Sequence, residues 1–407
     1  MKLMRSQGES VQGALSLLAV LTSSALNYAF TLLLGRWLDL PGYAAFAAFT
    51  SLFMLTAALP VAFQQATARR LHGANTRRAL RAGLIGGAAL LLLAPLIGPR
   101  TGIPAAWVAG FALTVPALAL LGAWRGAAQR DGRAAAFGWS LLVEHGAKVA
   151  LTLPLLAALP GPAAPVIATL AGVLLALPVV RPARAAQPLA GPDLPPSGGP
   201  VALTAALGVV AAAQSALLYG DVLLAGALLS PDPAGAYAGA ATLARVVFFA
   251  GWAVQVAAFP VVARRVAAGE RTGPLLGAAL AATLVVAGLP AALLVLAPAW
   301  SAQLAFGSGL TGVAPLLPLT AAGALVLALA GTALNHVLAS GGTGALWRVG
   351  GAYLAANAAT LACALLVPAD PSQLALAALA GKATLILTVA LVLRPTTRRF
   401  PHVLPRL

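Results

Sequence analysis

The chain has 407 residues, of which 60% are hydrophobic and 8% are charged, and its mean hydropathy is +0.93. A soluble domain keeps about 25% charged residues, mostly on its hydrated surface, so this composition excludes a soluble globular protein. The formal net charge of +16 is typical either of a nucleic-acid-binding protein or of a membrane protein with basic cytoplasmic loops, and the positions of the charges decide between the two.

Apolar segments long enough to cross a bilayer follow one another along the chain. A spanning helix needs roughly 20 mostly apolar residues. Twelve segments meet this requirement, at 11–34, 43–63, 82–98, 103–121, 134–159, 163–180, 201–229, 237–262, 274–296, 314–338, 349–367 and 374–393. The sequence therefore predicts an all-α polytopic membrane protein with twelve transmembrane helices, and the longest outside loop is expected around 297–313.

The first of these segments also resembles a signal peptide, because it follows Lys2 and Arg5 and contains small residues at 23–25. A cleaved peptide would end its apolar stretch near those small residues. Here the apolar run continues to Leu34. We therefore expect a retained first helix.

The basic residues are distributed asymmetrically around the predicted spans. With the N-terminus in the cytoplasm, twenty of the 25 Lys and Arg residues lie inside, among them Arg125, Arg130 and Arg133 after the fourth span. Only Arg36 and Arg100 lie outside. This bias follows the positive-inside rule and predicts an inner-membrane protein with both termini in the cytoplasm. The basic loops then set topology and attract anionic membrane lipids, so no nucleic acid is needed to explain the charge.

A stretch rich in proline divides the chain in two. Residues 181–200 contain six prolines and predict a cytoplasmic linker between six-helix bundles at 1–180 and 201–393, with a basic cytoplasmic tail at 394–407. Since each bundle has an even number of helices, the two would be related by a parallel pseudo-two-fold axis along the membrane normal. Such repeats are typical of transporters that bind substrate where the halves meet.

The two halves share landmarks that indicate an internal repeat. Tyr43 and Tyr237 are 194 residues apart, and the double-arginine positions Arg70 and Arg265 are 195 apart. The alternative interpretation is chance similarity between segments rich in Ala and Leu.

Three segments resemble parts of bacterial polysaccharide flippases of the O-antigen and teichoic acid type. The first hairpin of that family resembles GRWLDLPGYAAF, its fourth loop and fifth helix resemble WRGAAQRDGRAAAFGWSLLVEHGAKVAL, and its seventh and eighth helices resemble LLYGDVLLAGALLSPDPAGAYAGAATLARVVFF. These flippases belong to the multidrug/oligosaccharidyl-lipid/polysaccharide (MOP) exporter superfamily, together with lipid II flippases and multidrug and toxin extrusion transporters. Asp39, Leu40 and Ala44 depart from the family pattern, and twelve helices argue against the lipid II branch.

The resemblance implies a function. A flippase of this kind translocates an oligosaccharide linked to a polyprenyl diphosphate across the inner membrane, by alternating access, for the biosynthesis of cell-surface polysaccharide. It is a transporter and not an enzyme, and it uses no cofactor.

Five ionisable side chains fall inside the predicted spans, where they are costly and usually face a cavity or a partner. They are Glu144, Lys148, Asp221, Arg245 and Lys382. Glu144 and Lys148 are one helical turn apart on the same face. Two interpretations stay open for this pair: a relay for a proton or cation, with His145 beside it, or a self-neutralising structural pair.

The remaining charges suggest contacts with substrate or with a coupling ion. Asp221 and Arg245 lie at matching depth on consecutive spans, so they form either a structural salt bridge or a site for substrate or a coupling ion. Lys382 has no obvious partner in the sequence. Because Arg and Lys bind phosphate well, we expect Arg245, Lys382 and Lys148 to hold the diphosphate of the substrate.

Two further assignments complete the predicted site. Arg36, at the outer end of the first span, either guides release of the diphosphate or anchors to lipid headgroups. Asp221 or Glu144 is expected to bind a driving proton or Na⁺ if it is not tied up in a structural ion pair.

Other functional classes have less support. No catalytic residues are predicted, since the four histidines are scattered without metal spacing, at His72, His145, His336 and His402. The sequence contains no GxxxxGK[ST] motif for ATP hydrolysis, and the outside acids stand in tight turns, where Asp serves turn chemistry. The main alternative is a multidrug or cation antiporter of the same superfamily, and a membrane-embedded enzyme acting on lipid-linked glycans has less support still. Three intramembrane cations against two acids favour an anionic substrate.

Overall fold

The computed structural model describes residues 2–68, 74–159, 161–182 and 199–393. Within these ranges the backbone forms fourteen α-helices and one short 3₁₀-helix, Ala314–Leu316. The α-helices are α1 (Lys2–Trp37), α2 (Leu40–Thr56), α3 (Ala58–Ala68), α4 (Ala74–Thr101), α5 (Ala105–Arg130), α6 (Ala134–Ala158), α7 (Ala163–Val180), α8 (Gly199–Leu228), α9 (Pro231–Ala267), α10 (Gly273–Leu296), α11 (Pro298–Phe306), α12 (Leu317–Ser340), α13 (Thr343–Leu366) and α14 (Pro371–Leu393).

The helices confirm the predicted multi-pass architecture. Eleven helical segments of the described residues are long and apolar enough to cross a membrane, and they match the second to twelfth predicted spans. The second of the twelve spans is built from α2 and α3, which together run over Leu40–Ala68. The first predicted span, 11–34, lies within α1. The agreement follows from the physical requirement that a spanning helix be long and apolar throughout.

Two predictions about loops were wrong. The segment 297–313 was expected to be a loop but contains α11, nine residues that begin with proline, which is well suited to the first turn of a helix. The fourth span was expected to end near residue 121, but α5 continues to Arg130. Arg125 therefore lies in a helix, with 9% of its surface exposed, and not in a cytoplasmic loop.

The extension of α5 follows from its close packing against α3. A Cβ atom at Gly122 would collide with the backbone of Pro60, and one at Gly126 would collide with the carbonyl of Gln64. Small residues are what allow helices to approach closely in a membrane, where lipid tails compete equally well for apolar side chains. The glycines thus hold the last turns of α5 against α3.

The described residues separate into two compact units. Unit 1 lies within Met1–Gly239 and Gln303–Thr311, and unit 2 lies within Ala240–Ala302 and Gly312–Leu407. In unit 1, α8 packs against α2 and α3. The predicted bundle boundaries at 180 and 201 stay a prediction, since most of the linker (183–198) and the tail (394–407) lie outside the described residues.

Side-chain contacts join the helices within each unit. Unit 1 contains an aromatic cluster between α2 and α5, in which Phe49 makes edge-to-face contacts with Trp107 and Phe111 at ring-centroid distances of 6.3 and 5.9 Å. In unit 2, α10 and α12 are joined by a hydrogen bond of 2.9 Å between the hydroxyls of Thr283 and Thr332.

The tyrosine landmarks of the predicted repeat are both fully buried, but they contact different groups. Tyr43 packs its ring edge-to-face against Phe306 of α11, with a centroid distance of 5.9 Å. The hydroxyl of Tyr237 donates to a carboxylate oxygen of Asp221 at 3.2 Å. Arg70 lies outside the described residues, and the side chain of Arg265 is 3.5 Å from Glu270 in an exposed ion pair.

Candidate functional site

The structure brings two of the predicted charges together in one cavity of unit 1. The cavity is small and partly open to its surroundings. The walls come from α1, α2, α6 and α7, and the lining residues are Asn27, Thr50, Phe53, Met54, Glu144, His145, Lys148 and Thr169. A polar cavity inside a membrane protein is where ionisable side chains are tolerated.

Helix α6 places Glu144 and Lys148 on the same face of the cavity, as the four-residue spacing predicts. The carbonyl of Lys148 accepts a hydrogen bond of 2.7 Å from the hydroxyl of Thr152, one turn further along. Helix α7 covers the other side of α6, and it approaches so closely that a Cβ atom at Gly172 would collide with the carbonyl oxygen of Glu144. The backbone beneath the two charges is therefore tightly held.

Glu144 forms its ion pair with Arg125 of α5. An Nη atom of Arg125 lies 2.6 Å from Oε2 of Glu144. The same guanidinium donates from Nε to the Ser140 hydroxyl at 2.9 Å and from Nη to the Ser140 carbonyl at 3.0 Å. Glu144 thus has an ion-pair partner, Arg125, that the sequence did not reveal, because Arg125 was expected in a loop. The two interpretations of Glu144 and Lys148, a relay or a self-neutralising pair, stay predictions.

Lys148 has a different environment. Its ammonium group donates to Oδ1 of Asn27 on α1 at 2.7 Å and lies 4.5 Å from the centre of the Phe30 ring, within reach of a cation–π interaction. Only 6% of the residue surface is exposed. Its polar partner is a neutral amide, so nothing in these contacts cancels the charge of Lys148.

His145 also reaches α1. Its Nδ1 atom is 2.9 Å from the hydroxyl of Ser23 and 2.9 Å from the carbonyl of Leu141. The hydrogen bond to Ser23 and the one from Lys148 to Asn27 both join α6 to α1. Glu144 and Lys148 line the cavity, and Arg125 adjoins it through its ion pair with Glu144. The formal charges of these three groups sum to plus one.

The other predicted substrate contacts are distributed over both units. Arg245 on α9 and Lys382 on α14 are buried in unit 2, with 9% and 7% of their surfaces exposed. Lys382 lies against α12, where its Cδ atom is 3.2 Å from the position a Cβ atom would take at Gly323. Asp221 is buried in unit 1, where it accepts from the Tyr237 hydroxyl and from the backbone N–H of Val222 at 2.9 Å. The predicted Asp221–Arg245 salt bridge stays a prediction.

Arg36 lies at the end of α11 and is not among the residues that line the cavity. Its Nε atom donates to the carbonyl of Ala305 at 2.9 Å, and an Nη atom donates to the carbonyl of Leu304. These are carbonyls of the last turn of a helix, which have no partner within the helix and carry its negative dipole end. The next residue back, Gly35, leaves room for the ring of Phe306.

Unit 2 has a cavity of its own, with about 230 Å³ of space between its walls. Its polar lining residues are Gln255, Thr332, Asn335 and His336, and its remaining walls are apolar. Gln255 donates to the carbonyl of Ala328 at 3.2 Å, and Asn335 donates to the carbonyl of Gln255 at 3.0 Å. Among the described residues, neither Arg245 nor Lys382 lines this cavity.

The part of the chain that the structure describes holds no group of three or more His, Cys, Asp or Glu side chains placed to bind a metal ion.

No protein-family model matches the chain, and no curated protein matches its sequence. Solved structures do match. An inward-facing multidrug resistance MATE family transporter of the MOP superfamily superposes with a TM-score of 0.70 at 13% identity, over 92% of this chain and 94% of that chain. For lipid II flippase MurJ in an inward closed conformation, the TM-score is 0.69 at 14% identity, and the superposition covers 95% of this chain and 88% of that chain. For the eukaryotic MATE transporter AtDTX14, it is 0.60 at 16% identity, over 96% and 96%.

The chain therefore has the fold of these MOP-superfamily proteins. The predicted fold class, an all-α polytopic membrane protein with two helical bundles, is confirmed. Identities of 13–16% show the fold alone. The resemblance to polysaccharide flippases in particular stays a prediction.

Proposed function

We propose that this protein is a membrane transporter, a flippase that moves a polyprenyl-diphosphate-linked oligosaccharide across the inner membrane by alternating access, with both termini in the cytoplasm. Two observations support the proposal. The fold is one found in both a lipid II flippase and multidrug transporters. At the cavity of unit 1, the formal charges of Lys148, Glu144 and the adjoining Arg125 sum to plus one, and the hydrogen-bond partner of Lys148 is a neutral amide.

The net charge is the observation that carries the choice of substrate. In a lipid-linked oligosaccharide the diphosphate is the one charged group, between an apolar chain and neutral sugars. A buried ammonium group with a neutral partner gains most from an anion, because charge-assisted hydrogen bonds are about twice as strong as neutral ones. A cationic drug entering the same cavity would meet Lys148 and be repelled.

Each predicted residue has a role in this proposal. Lys148, Arg245 and Lys382 are the proposed contacts of the diphosphate, and all three side chains are buried. Asp221 is the candidate for a coupling proton or Na⁺, since Glu144 is already bound by Arg125. Arg36 has its guanidinium on the end of α11, so it orders that helix and does not hold the diphosphate.

A multidrug or cation antiporter is the second candidate. It is favoured by the likeness to multidrug transporters and by two carboxylates of unit 1, the buried Asp221 and the partly buried Glu144. Such a carrier would need one of these carboxylates to face a cationic ligand directly.

Binding of purified protein to undecaprenyl-diphosphate-linked sugar tests the proposal. We expect saturable binding that weakens with salt. Removing one charged donor should weaken it about tenfold, so Lys148→Ala, Arg245→Ala and Lys382→Ala are the test variants. Arg36→Ala is the matched control, since it removes a cation that this proposal places outside the binding site. We expect it to lower the melting temperature and to leave binding unchanged.

Binding of tetraphenylphosphonium, a lipophilic cation, separates the two candidates. If the wild-type protein does not bind the lipid-linked sugar but does bind the cation, and Asp221→Asn abolishes that binding, the flippase proposal is wrong and cation antiport takes its place. An equal loss of glycan binding in Arg36→Ala and Lys148→Ala would also contradict the assigned site.

A further inference from the structure

Arg125 has no role in the sequence-based site, yet it makes the shortest ion pair at the cavity among the described residues. Its side chain is only 10% exposed and that of Glu144 only 13%. We infer that Arg125 is a specificity-determining residue that acts through Glu144: by binding this carboxylate, it leaves Lys148 as an uncancelled cation, and the cavity therefore selects anionic ligands. The inference rests on the proposed function, which supplies the diphosphate as the anion.

The geometry makes the Arg125–Glu144 pair hard to exchange. The guanidinium is a rigid planar fork, and three of its hydrogen bonds are satisfied by Ser140 and Glu144 at 2.6–3.0 Å. Ser140 is itself fully buried, and its hydroxyl donates to the carbonyl of Phe137 at 2.7 Å. Arg125 is thus fixed on two turns of α6, and Glu144 cannot leave it without exposing a buried, unpaired guanidinium.

Without Arg125, Glu144 would have a different partner. Residues four apart on a helix are neighbours on its surface, so the cation nearest to Glu144 along α6 is Lys148. The two would neutralise each other, and the cavity would then have no net charge from these groups. Arg125, on the adjacent helix α5, therefore determines whether a ligand meets the positive charge of Lys148 or a neutral pair on α6.

The inference yields an ordered series of cavity charges. The formal charges of Arg125, Glu144 and Lys148 sum to plus one in the wild type and to zero in Arg125→Gln. The sum is again plus one in the double variant Arg125→Gln with Glu144→Gln. It is minus one in the double variant Arg125→Gln with Lys148→Met. The probes are inorganic diphosphate and tetraphenylphosphonium, and the readout is the ratio of their affinities for purified protein. We expect Arg125→Gln to lower diphosphate affinity about tenfold, the loss of one charge-assisted contact, and the added Glu144→Gln to restore it.

The third variant tests the reversal of selectivity. Arg125→Gln with Lys148→Met leaves Glu144 as the remaining ionised group of the three, so we expect it to bind tetraphenylphosphonium more tightly than inorganic diphosphate. Arg125→Lys is the conservative control: it keeps the positive charge beside Glu144 but loses the planar fork to Ser140. We expect it to keep the selectivity of the wild type for the anion, at reduced thermal stability.

Three results would overturn the inference. Arg125→Gln could bind diphosphate as tightly as wild type. The double variant with Glu144→Gln could fold, as judged by its melting temperature, and still not recover anion binding. The variant with Lys148→Met could keep its preference for the anion. If Arg125 had a merely structural role, Arg125→Gln would lose diphosphate affinity and the added Glu144→Gln would not restore it. Because the probe is inorganic diphosphate, failure of lipid-linked sugar to bind would overturn the proposed function separately, leaving the charge series to be judged by itself.

Discussion

At the residue scale, the sign of the cavity charge depends on one neutral amide. Asn27 accepts from Lys148 at 2.7 Å and is nearly the same shape as an aspartate. Asn27→Asp would place a carboxylate 2.7 Å from the ammonium group and cancel its charge. A side chain that differs by one atom type would then change which ligands the cavity accepts.

We expect Asn27→Asp to lower the affinity for lipid-linked diphosphate about tenfold, because the ammonium group would already have an anionic partner. The melting temperature should not fall, since the new pair keeps the existing geometry. Binding measured at two salt concentrations would check this, together with thermal unfolding. Asn27→Ser is the control, because it shortens the side chain without adding charge. An Asn27→Asp protein that binds as tightly as wild type would contradict the assigned role of Lys148.

At the scale of elements, the position of the site depends on how closely α7 approaches α6. A Cβ atom at Gly172 would meet the carbonyl oxygen of Glu144, a backbone atom that cannot turn aside as a flexible side chain could. Gly146, two residues beyond Glu144 on α6, has no atom within 4 Å of the corresponding position. The two glycines therefore offer the same chemical change in a crowded and in an open environment.

We expect Gly172→Ala to destabilise the protein by about 1–3 kcal/mol, the usual cost of inserting a methyl group into a filled contact. It should also weaken diphosphate binding, since α6 must move with Glu144 and Lys148. Gly146→Ala should be neutral or stabilising, by up to about 1 kcal/mol, since alanine favours the helix. Thermal unfolding of both variants in the same detergent checks the difference. Equal melting temperatures would mean that α7 does not constrain α6.

The elements also show how far the sequence could predict the structure. The number and order of the second to twelfth spans could be predicted, since length and hydropathy are the constraints that a bilayer imposes. Helix α11 could not, because nine residues are too short to meet either criterion. Arg125 was misplaced for a related reason: a charged residue near the end of a span is assigned to a loop by default. The evidence against that assignment was a contact with Glu144, 19 positions away, that no local pattern reveals.

On the scale of the whole molecule, the two tyrosine landmarks of the predicted repeat lie in similar positions, and the repeat itself stays a prediction. Tyr43 and Tyr237 are both fully buried near the start of a helix. One packs against an aromatic ring, and the other donates to the buried carboxylate of Asp221. Burial near the start of a helix is therefore what the two positions share.

The orientation of the whole molecule in the membrane is testable with single cysteines. The twenty basic residues assigned to the inside place the connection between α9 and α10 in the cytoplasm, and the segments after α11 and after α13 outside. The chain has one native cysteine, Cys363, so Cys363→Ser gives a background without reactive thiols. In that background, Ala268→Cys tests the inside, whereas Ser308→Cys and Ala369→Cys, all at exposed positions, test the outside.

We expect a membrane-impermeant maleimide added to intact cells, or to spheroplasts where an outer membrane is present, to label Ser308→Cys and Ala369→Cys and not Ala268→Cys. After lysis it should label all three, which controls for access to each thiol. The reverse pattern would mean that the charge bias does not orient this protein. Labelling of Ala268→Cys and Ala369→Cys alike in intact cells would contradict the number of spans between them, because α10, α12 and α13 must carry the chain across the membrane three times between these positions.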